Sequence, residues 1–113
     1  MLPDDRTRLK HMRDASAEAL SFIKGKTRDG LDSDRQLTLA LIKSIEIIGE
    51  AATRISDEMK SAESGIPWAD IVGMRNRLIH AYFDIDLDIL WETVENELPA
   101  LQQSLTILLT DEN

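Results

Sequence analysis

The segment Met74-Arg75-Asn76-Arg77-Leu78-Ile79-His80-Ala81-Tyr82-Phe83 is the one place in this 113-residue chain where several reactive side chains crowd together. Arg75 is the odd member. At about 100° per residue of helix, Ile71, Arg75, Leu78 and Tyr82 fall within a narrow arc, so a guanidinium shares an otherwise apolar stripe. A cation on a buried face is costly unless it is paired. Arg75 therefore calls for an acid of the same chain, with Asp88 and Glu92 as candidates, for an anionic ligand, or for a partner surface. His80 stands five positions further on, about 140° around an unbroken helix, so the two side chains would point apart. Either the helix ends near His80 and the chain turns, or one site is assembled from two copies of the segment across a two-fold axis. Asn76 and His80, four apart, share a face, which would let Asn76 orient the imidazole. Tyr82 lies on the inner stripe, where the plain reading is a core aromatic with a hydrogen-bonded hydroxyl.

The rest of the sequence removes other chemistries. With no Cys there is no disulfide framework, zinc-thiolate site or cysteine nucleophile, and a reducing compartment is expected. The five glycines are scattered and form neither G-x-G-x-x-G nor a P-loop. Only His11 and His80 are present, neither lies three residues after a Glu, and H-E-x-x-H is absent, so no metal site is expected. Glu46 and Glu50 stand one turn apart, a spacing that on a helix reads as a solvated face, and no role is assigned to them.

Charge is acidic overall, at -8, and unevenly spread. Beyond Phe83 the chain carries eight acids and no Lys or Arg, while the first 83 residues balance. This weighs against a nucleic-acid binder, which needs clustered cations. Local clusters do exist at Arg6, Arg8, Lys10 and Arg13 and at Lys24, Lys26 and Arg28, and alone they read as solvated helix faces. No apolar run approaches the roughly 18 residues of a membrane span, and the N-terminal residues lead into charge rather than an apolar signal segment. The expectation is a cytoplasmic chain with no membrane partner.

Four helical segments must position these side chains. Leu9, Met12, Ala19, Leu20 and Ile23 make one stripe, with Gly25 placed to stop it in the left-handed conformation. Ser33 opens a second segment with Gln36 as its capping-box partner. Leu41, Ile45, Ile48, Ala52, Ile55 and Met59 then step by four and three, flanked by Leu37, Leu39, Ile42 and Ile47, so that little of this helix is wetted. After a loop at Ser61 to Gly65, Pro67 occupies a first-turn position of the third. The fourth begins beyond Asp84 to Asp86 and carries Leu87, Leu90, Trp91, Val94, Leu98, Leu101, Leu105 and Leu108 on one face. Pro99 lies inside it and should kink it against the carbonyl of Glu95. The whole is read as all-α, one up-and-down helical bundle over residues 1–113.

Arg75-Asn76-x-x-x-His80-x-Tyr82 resembles the R-x4-H-x-Y motif of the HepT family of HEPN-domain proteins, the toxin halves of prokaryotic HEPN/MNT toxin–antitoxin pairs. Ile48-Gly49-Glu50-Ala51-Ala52, Ile66-Pro67-Trp68, Leu90-Trp91 and Leu98-Pro99 also resemble landmarks of that family, in the expected order, across essentially the whole chain. The bare R-x4-H pattern occurs by chance in many helices, whereas the ordered set is specific.

The resemblance implies a homodimeric endoribonuclease that needs no metal or other cofactor, with two motif segments meeting in a cleft at the dimer interface. It implies that His80 is the general acid/base acting on the ribose 2′-hydroxyl or the leaving 5′-oxygen, a role that suits imidazole because its ordinary pKa is near neutral. Arg75 would hold the scissile phosphate and stabilise its growing charge, and Asn76 would position the phosphate or His80. The products would be a 2′,3′-cyclic phosphate and a 5′-hydroxyl. A partner antitoxin, a minimal nucleotidyltransferase, would transfer AMP from ATP to Tyr82 and repel RNA. The competing expectation is a non-catalytic helical subunit that binds a nucleotide or the nucleotidyltransferase and regulates it. The acidic surface favours that alternative, and the intact Arg75/His80 pair favours the nuclease.

Overall fold

The structure, a computed structural model, describes residues 1–80 and 85–111, without the side chains of Ile79, His80 and Asp111; Tyr82 lies outside the described residues. All regular structure in them is helical: α1 (Pro3–Phe22), the short α2 (Gly30–Ser33), α3 (Arg35–Thr53), α4 (Asp57–Ala62), α5 (Trp68–His80), α6 (Leu87–Glu92), a π-helical turn (Thr93–Glu97) and α7 (Leu98–Asp111). The expected all-α bundle is what forms. α3 packs on both α1 and α5, and α1 packs on α7.

The stripes of α1, α3 and the last segment are buried for the most part, with Leu20, Ile23, Leu87, Trp91 and Leu108 partly buried; of the α5 stripe, Leu78 is buried and Ile71 partly so. Leu9, Met12, Ala15 and Ala19 of α1 meet Leu41, Ile45, Ile48 and Ala52 of α3 in one core, closed by Leu90, Val94, Leu98, Leu101, Leu105 and Leu109. The first helix stops as expected, with Gly25 beyond its end at φ +74°, a conformation that favours a residue without Cβ. No helix among the described residues is long and apolar enough to cross a membrane.

Three local expectations are corrected. The cap of α3 is Asp34 rather than Ser33: the Asp34 Oδ1 accepts from the Leu37 N–H at 3.0 Å, and Ser33 ends α2. The helix expected to run on to Met59 stops at Thr53. Ser56 then caps α4, accepting from the Met59 N–H at 3.1 Å, while Asp5 of α1 takes the Ser56 N–H at 2.9 Å and its hydroxyl at 2.6 Å. Ile55 and Met59 are buried all the same, so the apolar phase continues across the break. Of the flanking residues, Leu37 and Ile42 are buried, whereas Leu39 and Ile47 are 42% and 40% exposed.

The disruption expected at Pro99 takes the form of a π turn just before it. The Leu98 N–H reaches back five residues to the Thr93 carbonyl. A proline ring following a regular turn would meet the carbonyl four residues back, and the wider turn relieves that crowding.

Candidate functional site

Arg75 lies where α5 crosses α3, and Gly49 makes the crossing close. A Cβ built on Gly49 would collide with the Cβ and Cγ of Arg75, so only glycine leaves room for the arginine stem. One residue along α3, Glu50 supplies the charge. Its Oε2 accepts from Arg75 Nη2 at 2.8 Å, and its Oε1 accepts from Arg54 Nε at 3.1 Å. Arg75 Nη1 donates to Asn76 Oδ1 at 2.9 Å, and Arg75 Nε is buried without a partner. The Arg75 side chain keeps 27% exposure, so the guanidinium is held but not sealed in.

The acid that Arg75 requires therefore comes from α3 and not from the last helical segment. Asp88, one of the two acids expected to supply it, takes the Nε–H of Arg28 at 2.6 Å, and this contact above all raises the affinity of Arg28 for its proton. Glu92, the other, accepts from the Asn96 side chain at 2.7 Å. Asn76, expected to orient His80, has its carbonyl oxygen turned to Arg75. From spacing alone Glu50 has no role, because its separation from Glu46 is that of a solvated face. The signals that could have found it are the unpaired arginine on the apolar stripe and the glycine beside Glu50.

Arg75 opens onto a cleft of about 310 Å³ between α1, α3 and α5. Arg8 and His11 come from α1, Lys43, Glu46 and Glu50 from α3, and Arg54 from the residue that caps the end of α3. Four permanent cations face two carboxylates in a chain whose net charge is -8, and the acids of the last segment take no part. Arg8, read from sequence as part of a solvated face, is half-buried on this cleft. Positions 75 and 80 lie on the same unbroken α5, about 140° apart around its axis. The structure thus brings Arg75 and Asn76 together and adds Glu50; the side chains of His80 and Tyr82 are outside what it describes.

A larger groove of about 690 Å³ runs along another part of α5, between Ile71, Met74 and Arg77 and the residues Thr93, Leu98 and Leu101. It is mainly apolar and Arg75 does not line it. Its size alone does not make it the reactive site, because an anion needs the fixed donors that gather in the smaller cleft.

Residues 12–107 match the sequence profile of the ribonuclease HepT-like family. The chain belongs to that family. A protein of Caldanaerobacter subterraneus subsp. tengcongensis, provisionally named an RNase, is 36% identical over 92% of this chain and 93% of its own length. A Thermococcus cleftensis protein provisionally named ribonuclease HepT is 39% identical over 76% of this chain and 82% of its own. A Methanocaldococcus jannaschii protein, also provisionally named an RNase, is 30% identical over 84% of this chain and 87% of its own. No solved structure matches. Within this HepT-like chain, the profile match spans α3, α5 and the segment between Arg75 and Tyr82, so the motif and the α3 and α5 sides of the cleft lie inside the region that carries the family likeness, whereas Arg8 and His11 precede it.

Proposed function

We propose that this chain is a metal-independent endoribonuclease acting as the toxin of a type VII-like HEPN/MNT toxin–antitoxin pair, with residues 1–113 forming a single HEPN-like domain. The observation that carries the reading is the cationic cleft around Arg75, whose guanidinium is fixed by Glu50 and Asn76 yet open to solvent. A phosphodiester is the anion such a fork suits, because two parallel N–H groups match two phosphate oxygens.

In the proposed reaction the ribose 2′-oxygen bonds to phosphorus and the bond from phosphorus to the 5′-oxygen breaks. One proton leaves the 2′-hydroxyl and one arrives on the 5′-oxygen, and His80 moves them. Arg75 stabilises the charge that grows on the phosphate, and Asn76 holds Arg75 from one side. The 140° between positions 75 and 80 favours a site shared by two protomers, in which Arg75 of one subunit serves a phosphate reached by His80 of the other. In this reading the pair operates in the cytoplasm, and a cognate minimal nucleotidyltransferase neutralises the toxin by placing AMP on Tyr82, whose phosphate would compete for the same cation.

The test is incubation of purified protein with defined RNAs in chelator. Fragments ending in 2′,3′-cyclic phosphate and 5′-hydroxyl are expected, at a rate lower by about 10²-fold or more in His80→Ala. For the pairing, the cognate nucleotidyltransferase with ATP and Mg²⁺ should add AMP mass to the Tyr82 peptide and none to Tyr82→Phe. The mainly apolar groove beside the acidic last segment favours a second reading, a non-catalytic subunit that binds and regulates the nucleotidyltransferase. That reading requires intact RNA in the same assay.

A further inference from the structure

Glu50 holds two arginines with two oxygens, and it does so without using up the one that matters. A guanidinium has five N–H groups. On Arg75, one from Nη2 goes to Glu50, one from Nη1 goes to Asn76, and the Nε–H is buried without a partner. Each terminal nitrogen thus keeps one N–H that no described residue accepts. The tie that leaves them free is specific to α3, since Gly49 lets the arginine stem lie against the helix and the next residue is the acid. Arg54 takes the other carboxylate oxygen.

We propose that Glu50 is the positioning residue of the RNA-cleaving site: it fixes the plane and reach of the Arg75 guanidinium, and its negative charge opposes an anion arriving at the two remaining N–H groups. The catalytic half of this proposal rests on the ribonuclease reading above; the anchoring half does not. The two effects have opposite signs. Fixing the guanidinium speeds turnover, because a displaced stabilising group loses much of its effect on the reacting phosphate. A carboxylate beside the phosphate weakens binding before reaction, because like charges repel. A side chain that only supported the fold would lower both together, in proportion to the fraction of folded protein.

The test uses the full chain and three readouts. Binding is measured by fluorescence anisotropy with a 2′-O-methyl oligoribonucleotide, which lacks the attacking hydroxyl. Turnover of the matching all-RNA strand in chelator gives kcat and KM separately. Arginine side-chain ¹⁵N NMR reports whether the Arg75 guanidinium rotates freely. Glu50→Ala should bind the 2′-O-methyl strand about threefold to tenfold more tightly, the scale of one like-charge contact near a surface. Its kcat should fall by about tenfold to 10²-fold, and the Arg75 resonances should show free rotation. Glu50→Gln keeps an oxygen for Nη2 without the charge, so tight binding should persist while most of kcat and the hindered rotation return.

Unchanged kcat in Glu50→Ala overturns the proposal. So does a kcat loss that tracks the thermal melt and that Glu50→Gln fails to restore. A wild-type chain that leaves all RNA intact but shows a hindered Arg75 guanidinium, freed in Glu50→Ala, overturns the ribonuclease reading and upholds the anchoring. A freely rotating guanidinium in the wild type overturns the anchoring itself.

Discussion

Two carboxylates tie helices together in this bundle, and they do it in opposite ways. Asp5 of α1 is 3% exposed, and its two oxygens take the N–H and the hydroxyl of Ser56 at the start of α4. Glu50 of α3 is half-exposed and grips Arg75 and Arg54 at the edge of a cleft. At the first junction both Ser56 donors are consumed by the one buried carboxylate. At the second, the partner guanidinium lines a cleft rich in cations and retains N–H groups that no described residue accepts. A buried acid whose partners are saturated is a fastener, whereas one that anchors an unsaturated cation prepares that cation for another anion.

That contrast can be broken most severely at Arg75. Arg75→Lys should lower RNA cleavage by about 10²-fold or more while leaving the melting temperature near its wild-type value, because a single ammonium cannot hold Glu50, Asn76 and a phosphate at once. Steady-state cleavage beside a thermal melt checks this. Gly49→Ala should strike both quantities. Its Cβ overlaps the Arg75 stem, so the helices must part, with a stability cost of about 1–3 kcal/mol by chemical denaturation and a fall in cleavage per folded molecule.

Asp5→Ala sharpens the comparison from the other side. It strands the Ser56 N–H and hydroxyl, and should cost about 1–3 kcal/mol in urea unfolding without changing cleavage per folded molecule. The smallest effect is expected at Arg28. Its contacts with Asp88 and Asp32 lie at the surface, so Arg28→Ala should leave both the denaturation midpoint and the cleavage rate nearly unchanged.

The fold was largely legible in the sequence because it rests on a local signal. Stripes such as Leu41, Ile45, Ile48 and Ala52 declare a buried helix face through spacing alone, and Gly25 declares a stop. The failures are places where the apolar pattern leaves more than one local answer open and tertiary geometry chooses between them. The break after Thr53 is invisible in the apolar pattern, since Ile55 and Met59 keep the phase; what enforces it includes a hydrogen bond from Ser56 to a carboxylate 51 positions earlier. Ser33 and Asp34 are both good caps, and only the geometry of the turn from α2 selects the second. At Pro99 the lost N–H was readable, but a π turn and a kink are equal answers to it until the packing of Val94 and Leu98 is known.

The site was legible by half, for the same reason. Arg75 advertised a need for an anion because it interrupts an apolar stripe, yet the partner was sought in the acid-rich segment that follows. Abundance of acids proved a poor guide. Asp88 and Glu92 have their own donors, and the single acid beside a glycine on α3 meets Arg75 because the close approach of α3 and α5 puts it there.

The central claim is that the fixed and unsaturated Arg75 fork serves an RNA phosphate. It is tested most directly by incubating a defined RNA in chelator with the wild type, Arg75→Lys and Asp5→Ala, each at equal folded concentration, and reading the fragment ends. The account predicts 2′,3′-cyclic phosphate and 5′-hydroxyl ends from the wild type and from Asp5→Ala at the same rate, and almost none from Arg75→Lys. Equal cleavage by Arg75→Lys, or a loss shared in equal measure by Asp5→Ala, would contradict it.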